Sequence, residues 1–191
     1  MPNGLRAPEL AAAHEAALSY EDYLATDPER AQRWIELAND VRLTPEQTGL
    51  VEGFTRRMPV LCISGIWCGD CVRQGPVLQR IAEANPCIDL RFIDRDARPD
   101  LIEHVRINDG ARVPVTLFMA EDFEPVSVAG DRTLSYYRHM AEQKLGGSCP
   151  VPGAPTADTL LDSLVADWLD EFERVHLLLR LSGRLRAIHG D

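Results

Sequence analysis

Val60-Leu61-Cys62-Ile63-Ser64-Gly65-Ile66-Trp67-Cys68-Gly69-Asp70-Cys71 is the stretch that decides the fold. Its first half is a short, unbroken apolar run after Pro59, the pattern of a central strand covered on both faces. Its second half carries two cysteines separated by two residues. Val72, Val77, Leu78, Ile81 and Ala82 follow at helical spacing up to Asn85-Pro86, with Pro76 expected to kink the helix. The strand from Val60 to Ile66 therefore delivers Cys68 to a helix beginning near Gly69, where unpaired amides and the helix dipole favour thiolate over thiol. The thiolate is the nucleophile of disulfide exchange, and Cys71, one turn in and less exposed, suits a resolving thiol. Trp67 walls one side of such a site.

Toward the C-terminus, Ile88, Leu90 and Phe92 alternate with Asp89 and Arg91 as a second strand, and Leu101, Ile102 and Val105 mark a short helix. Val115 to Met119 and Pro125 to Val128 read as a hairpin, and Leu134, Tyr137, Ala141 and Leu145 as a helix. The order over residues 59–145 is thus βαβαββα. Residues 146–156 have the Gly and Pro density of a linker, and 157–191 read as a C-terminal helix with a stripe at Leu161, Leu164, Trp168, Phe172, Val175 and Leu179. That stripe could cover its own domain or a twin, so a homodimer through the added helices is open.

Toward the N-terminus, residues 1–58 read as a helical extension. One helix is expected from Pro8 to about Thr26, a second after Asp27-Pro28-Glu29 with Ala31, Trp34, Ile35 and Ala38 inward, and a third after the capping box Thr44-Pro45-Glu46-Gln47 with Leu50, Val51 and Phe54 inward.

At this point the sequence resembles the thioredoxin family: strand, Trp67-Cys68-Gly69-Asp70-Cys71, helix, then Val113-Pro114 before a later strand. The resemblance covers about residues 59–145. It implies an α/β thioredoxin-like fold, a central four-stranded mixed sheet flanked by helices, and a thiol-disulfide oxidoreductase, a protein disulfide reductase first of all, with Cys68 and Cys71 as the redox pair. Trp67, Gly69, Asp70, Val113 and Pro114 would form the substrate-binding surface, with Pro114 in the cis form facing the disulfide and the Val113 backbone pairing with substrate peptide. Two departures matter. The family's usual proline before the second cysteine is Asp70 here, whose charge opposes the helix terminus by a similar amount, each about 1 kcal/mol, so the net shift at Cys68 has no sign from sequence. The buried acid that assists the second cysteine is replaced by Cys62. The Trp-Cys-Gly-Asp-Cys wording with helices on both sides is similar to a bacterial group of thioredoxin-like proteins.

Composition agrees. With 191 residues the chain can bury a core without staples, and five cysteines, an odd number, do not suggest a secreted disulfide framework. No secretory signal or membrane span is visible, so a reducing cytoplasm is the expected address. Thirty acidic against twenty basic side chains give a charge of -10 and argue against nucleic acid or anionic membrane as partner. Protein disulfides and an unspecified thiol reductant are the expected partners, and no cofactor is called for. Zinc would want four ligands, yet no second Cys-x-x-Cys or close His pair accompanies Cys68 and Cys71. Cys62 and Cys87 read as small buried apolar residues. Cys149, in a Gly-Gly-Ser-Cys-Pro loop, could be a third redox thiol but is left outside the site. Asp94, Asp96, Asp100 and Glu103 read as capping and solvating acids, and Arg174, Arg180, Arg184 and Arg186 as a solvated basic face over Leu177 to Leu181. The alternative function is a non-catalytic interaction module on the same fold.

Overall fold

The computed structural model describes residues 4–145 and 150–191. Four strands form one sheet: β1 (Met58–Ser64), β2 (Ile88–Asp94), β3 (Val115–Met119) and β4 (Pro125–Gly130), in the order β2-β1-β3-β4. β1 pairs parallel to β2 and antiparallel to β3, and β3 pairs antiparallel to β4, so the sheet is mixed as expected. Every residue of β1 and of β3 is buried, which is why both read as continuous apolar runs. β2, at an edge, alternates instead.

Before the sheet come α1 (Ala7–Ala16), α2 (Tyr20–Ala25), α3 (Pro28–Ala38) and α4 (Pro45–Glu52). The single helix expected from Pro8 to Thr26 is two. Leu18 leaves the helical path to exchange both backbone hydrogen bonds with Phe92 of β2, each 2.8 Å, and Ser19 then caps α2 by accepting from the Asp22 amide. A tertiary contact overrides a helical pattern that continues through the break. The Thr44 capping box of α4 is formed. Val51 and Phe54 point inward as expected, but Ile35 and Leu50 are exposed.

α5 (Gly69–Glu83) follows β1 and runs unbroken through Pro76. α6 (Pro99–His104) follows β2, α7 (Leu134–Leu145) follows β4, and the chain ends in α8 (Leu160–Leu181) and α9 (Gly183–His189). The expected single C-terminal helix is therefore interrupted, with Ser182 ending α8 and capping α9 through the Leu185 amide. Of the expected linker, 150–156 carry neither helix nor strand, and 146–149, with Cys149, lie outside the described residues.

The core joins these layers. Tyr20, Tyr23 and Trp34 of the N-terminal helices meet Phe92 of β2, with ring centroids 5.5 to 6.2 Å apart. At the other end Phe172 of α8 meets Phe118 of β3 edge-on at 5.1 Å. Leu164, Trp168, Phe172, Val175 and Leu179 are all buried, so the stripe that could have served a twin covers its own domain. Leu177, Leu178 and Leu181 are exposed.

Candidate active site

β1 ends at Ser64, and Cys68 is the residue that caps the N-terminus of α5, in extended backbone conformation (φ -83°, ψ 124°). Cys71 falls in the first turn and is fully buried, whereas Cys68 is half-buried. Both are free thiols. The loop between strand and helix is fixed from below and above. Trp34 of α3 donates its indole N–H to the Ile66 carbonyl at 3.0 Å, and a Cβ on Gly75 of α5 would lie 1.9 Å from Trp34 Cζ3, so only glycine lets the indole lie flat against the helix. Above, Trp67 is exposed and lies over Gly65, whose missing Cβ would meet the indole at 2.8 Å. The Arg95 guanidinium stacks on Trp67, 4.7 Å from the ring centroid.

Facing the pair is the segment before β3. The Val113–Pro114 peptide is cis, and the Val113 carbonyl lies 3.6 Å from Cys68 Sγ, where it accepts from the thiol while Cys68 is protonated. The Gly65 amide donates to Cys71 Sγ at 3.4 Å. The structure thus brings Trp67, Cys68, Asp70, Cys71, Val113 and Pro114 to one end of the sheet; Gly69 lies on the exposed side with open space beyond it.

The two thiols are driven apart electrically. Cys68 is brought down to about 6, chiefly because the Cys71 thiol donates to its thiolate, with the Cys71 and Asp70 amides at the helix N-terminus adding to this; half-burial and the Asp70 charge oppose it. Burial pushes Cys71 far up, and the neighbouring thiolate adds to the shift. The shift at Cys68, unsigned in sequence, is downward. Cys62, where the family carries an acid, is fully buried and pushed up to about 12, so it stays a neutral thiol. The buried hydroxyls of Ser64, Tyr23 and Thr116 make no hydrogen bond of normal geometry. Among the described residues no three of His, Cys, Asp and Glu come together as a metal cluster.

The surroundings of Asp70 explain why its charge does not dominate. Its carboxylate faces α7: Arg132 donates to Oδ2 at 2.5 Å and the Tyr136 hydroxyl to Oδ1 at 2.9 Å. Arg132 is set by its own surroundings. Gly130 has φ +155° and approaches the Pro114 carbonyl so closely that a Cβ would lie 2.5 Å from it. The Asp131 carbonyl accepts from the buried Gln74 side chain at 2.7 Å, and the Asp131 carboxylate accepts from Arg112 at 3.0 Å, from Arg132 at 3.3 Å and from the Tyr137 hydroxyl. Sequence reasoning missed Gln74, whose role on α5 shows only through its bond to Asp131, and Asp131, Arg132 and Tyr136, which no local spacing links to Cys68.

The family model described as Thioredoxin matches residues 17–143, reaching back through α2, α3 and α4 beyond the expected 59–145. A Streptomyces coelicolor protein named "Putative thioredoxin 2" is 34% identical over 55 residues, covering 29% of this chain and 39% of that protein's length. A Pseudomonas aeruginosa protein of unknown function has the same fold (TM-score 0.62, 18% identity, 88% of this chain and 95% of that chain). An HIV epitope-scaffold also superposes (TM-score 0.56, 17% identity, 95% and 98% coverage).

Proposed function

This chain belongs to the thioredoxin family, and from that premise we propose that it is a thiol-disulfide oxidoreductase that reduces protein disulfides with Cys68 and Cys71. The observation that carries the reading is the asymmetry of the pair: a half-exposed thiol lowered to about 6 at a helix N-terminus, backed by a buried thiol held protonated.

The Cys68 thiolate attacks one sulfur of a substrate disulfide. A Cys68–substrate disulfide forms, the substrate S–S bond breaks, and the other substrate sulfur leaves as a thiolate and takes a proton. Cys71 then gives up its proton and attacks Cys68 Sγ. The Cys68–Cys71 disulfide forms, the mixed disulfide breaks, and the second substrate sulfur leaves. The substrate gains two electrons and two protons, one proton from Cys71 and one from solvent because Cys68 starts as a thiolate; the pair loses two electrons and the Cys71 proton, and a thiol reductant returns the electrons. Proximity favours the second step, because Cys71 sits one helical turn from Cys68. The Val113 carbonyl beside Cys68 offers an acceptor for the amide of an extended substrate peptide, and Trp67, steadied by Arg95, gives it an apolar wall.

No helix among the described residues is long and apolar enough to cross a membrane, and we place the protein in a reducing cytoplasm, where a returning thiol reductant is available. The test is the redox equilibrium of the pair against a glutathione or dithiothreitol series, read by thiol alkylation, beside insulin reduction by the wild type and by Cys68→Ser. A reversible two-electron couple with activity lost in Cys68→Ser is the expected result. No couple and no activity would leave a non-catalytic binding module.

A further inference from the structure

The carboxylate of Asp70 belongs to the second residue after Cys68, in the first turn of the same helix, yet both its oxygens are taken by groups from the other side of the site. Arg132 holds Oδ2 at 2.5 Å and Tyr136 holds Oδ1 at 2.9 Å. Asp70 and Arg132 are each about four-fifths buried, where an ion pair is little screened. Arg132 is also locked from behind. It shares Asp131 with Arg112 and Tyr137, and Gln74, from the turn of α5 after Asp70, donates to the Asp131 carbonyl.

We propose that Arg132 is a positioning residue for the redox pair, acting through Asp70: it turns the Asp70 carboxylate toward α7 and holds it there, so that this charge opposes the Cys68 thiolate far less than a free carboxylate would. The proposal rests on Cys68 being the nucleophile, as set out above, and adds the group that keeps it so. An acid in place of the usual proline would by itself work against a thiolate at the same helix end. The clamp makes that acid compatible with the chemistry.

Charged and titratable groups reach Cys68 from several elements. The N-terminal half of α5 supplies Asp70, Cys71 and Arg73, with Arg80 and Glu83 at its far end; β1 supplies Cys62, the end of β2 and its following turn supply Asp94, Arg95 and Asp96, and the loop before β3 supplies Arg112. Beyond β4 come Asp131, Arg132, Tyr136 and Tyr137. Arg112 is engaged with Asp131, Arg95 with Asp96 and Trp67, and Arg73 lies over the Tyr136 ring at 5.2 Å. Arg132 alone among these cations forms an ion pair with Asp70.

The test is the pH dependence of Cys68 alkylation by iodoacetamide in the full-length reduced protein, followed on the Cys68 peptide by mass spectrometry. Arg132→Gln is made with Asp70 present and again in the Asp70→Asn background, and circular dichroism checks the fold of each. With Asp70 present, Arg132→Gln is expected to raise the midpoint by about one pH unit, close to a tenfold slower reaction on the acid side. In the Asp70→Asn background, the same substitution should move it by only a few tenths, the direct effect of one partly screened charge. Arg132→Lys should recover part of the shift. Equal shifts in both backgrounds, or none in either, overturn the proposal. Should Arg132→Gln fail to fold, Tyr136→Phe, which frees only Oδ1, decides: an upward shift seen with Asp70 and absent in the Asp70→Asn background supports the clamp, and no shift overturns it. Alkylation needs no substrate, so the clamp and the oxidoreductase reading fail separately: the second fails when the pair shows no reversible couple.

Discussion

Helix α5 is gripped on two sides by opposite means. On one side Trp34 lies against Gly75 with no room for a methyl group, an apolar lock of shape. On the other, Asp70, Arg132, Tyr136 and Gln74 form a lock of charge and hydrogen bonds. The first lock tolerates no change of volume but is indifferent to pH. The second can change its geometry at little cost in packing, yet it borders the sulfur that reacts. Stability and chemistry are therefore assigned to different faces of one helix, and substitutions should separate them.

The largest expected effect on stability is at Trp34. Trp34→Ala removes a fully buried indole together with its hydrogen bond to Ile66 and should cost about 3–5 kcal/mol in urea unfolding. If the division of labour holds, the alkylation midpoint of Cys68 in the variant that still folds stays near the wild type. Gly75→Ala comes next: the indole must shift, for about 1–3 kcal/mol, again by denaturant titration. Asp70→Asn reverses the pattern. It should cost only ~1 kcal/mol, because Arg132 keeps Asp131 as a counter-charge, while moving the Cys68 midpoint downward, since the negative charge beside the thiolate is gone and the cation stays. A large loss of stability with an unmoved midpoint would undo the contrast.

The mildest perturbation is pH itself. The thiolate is the reacting form and Cys68 lies near 6, so its alkylation rate should rise as pH rises through about 6 and level off above it. In the unfolded chain the same rise should come near the ordinary cysteine value of about 8.5. Cys71, pushed up by burial, should stay unreactive in the folded protein across this range.

Much of this arrangement was legible in the sequence. The four strands could be read because continuous burial and edge alternation leave different marks on β1 and β2. The paired cysteines could be placed because a strand running into a helix start fixes their geometry whatever surrounds them. Three things could not be read. The break between α1 and α2 depends on Leu18 pairing with Phe92, far along the chain, while Ala13, Ala17 and Tyr20 keep helical spacing through it. The division of the C-terminal helix at Ser182 rests on a single cap in an otherwise helical sequence. The partners of Asp70 come from a segment that β3 and β4 carry to it, and nothing local in Gly130-Asp131-Arg132 announces that destination. The sequence did locate the acid; how strongly it acts on Cys68 depends on what it touches.

Leu18 has one more consequence. β2 is an edge strand, and an edge with free N–H and C=O groups is a template on which another chain can add. At its middle, Phe92 has spent both groups on Leu18. Arg57 and Arg91 pair with Asp89 on the same strand, so charges stand along the rest of it. An incoming strand would have to displace a piece of the protein's own chain before it could register. A short peptide bridge between two helices thus doubles as a guard against edge-to-edge aggregation.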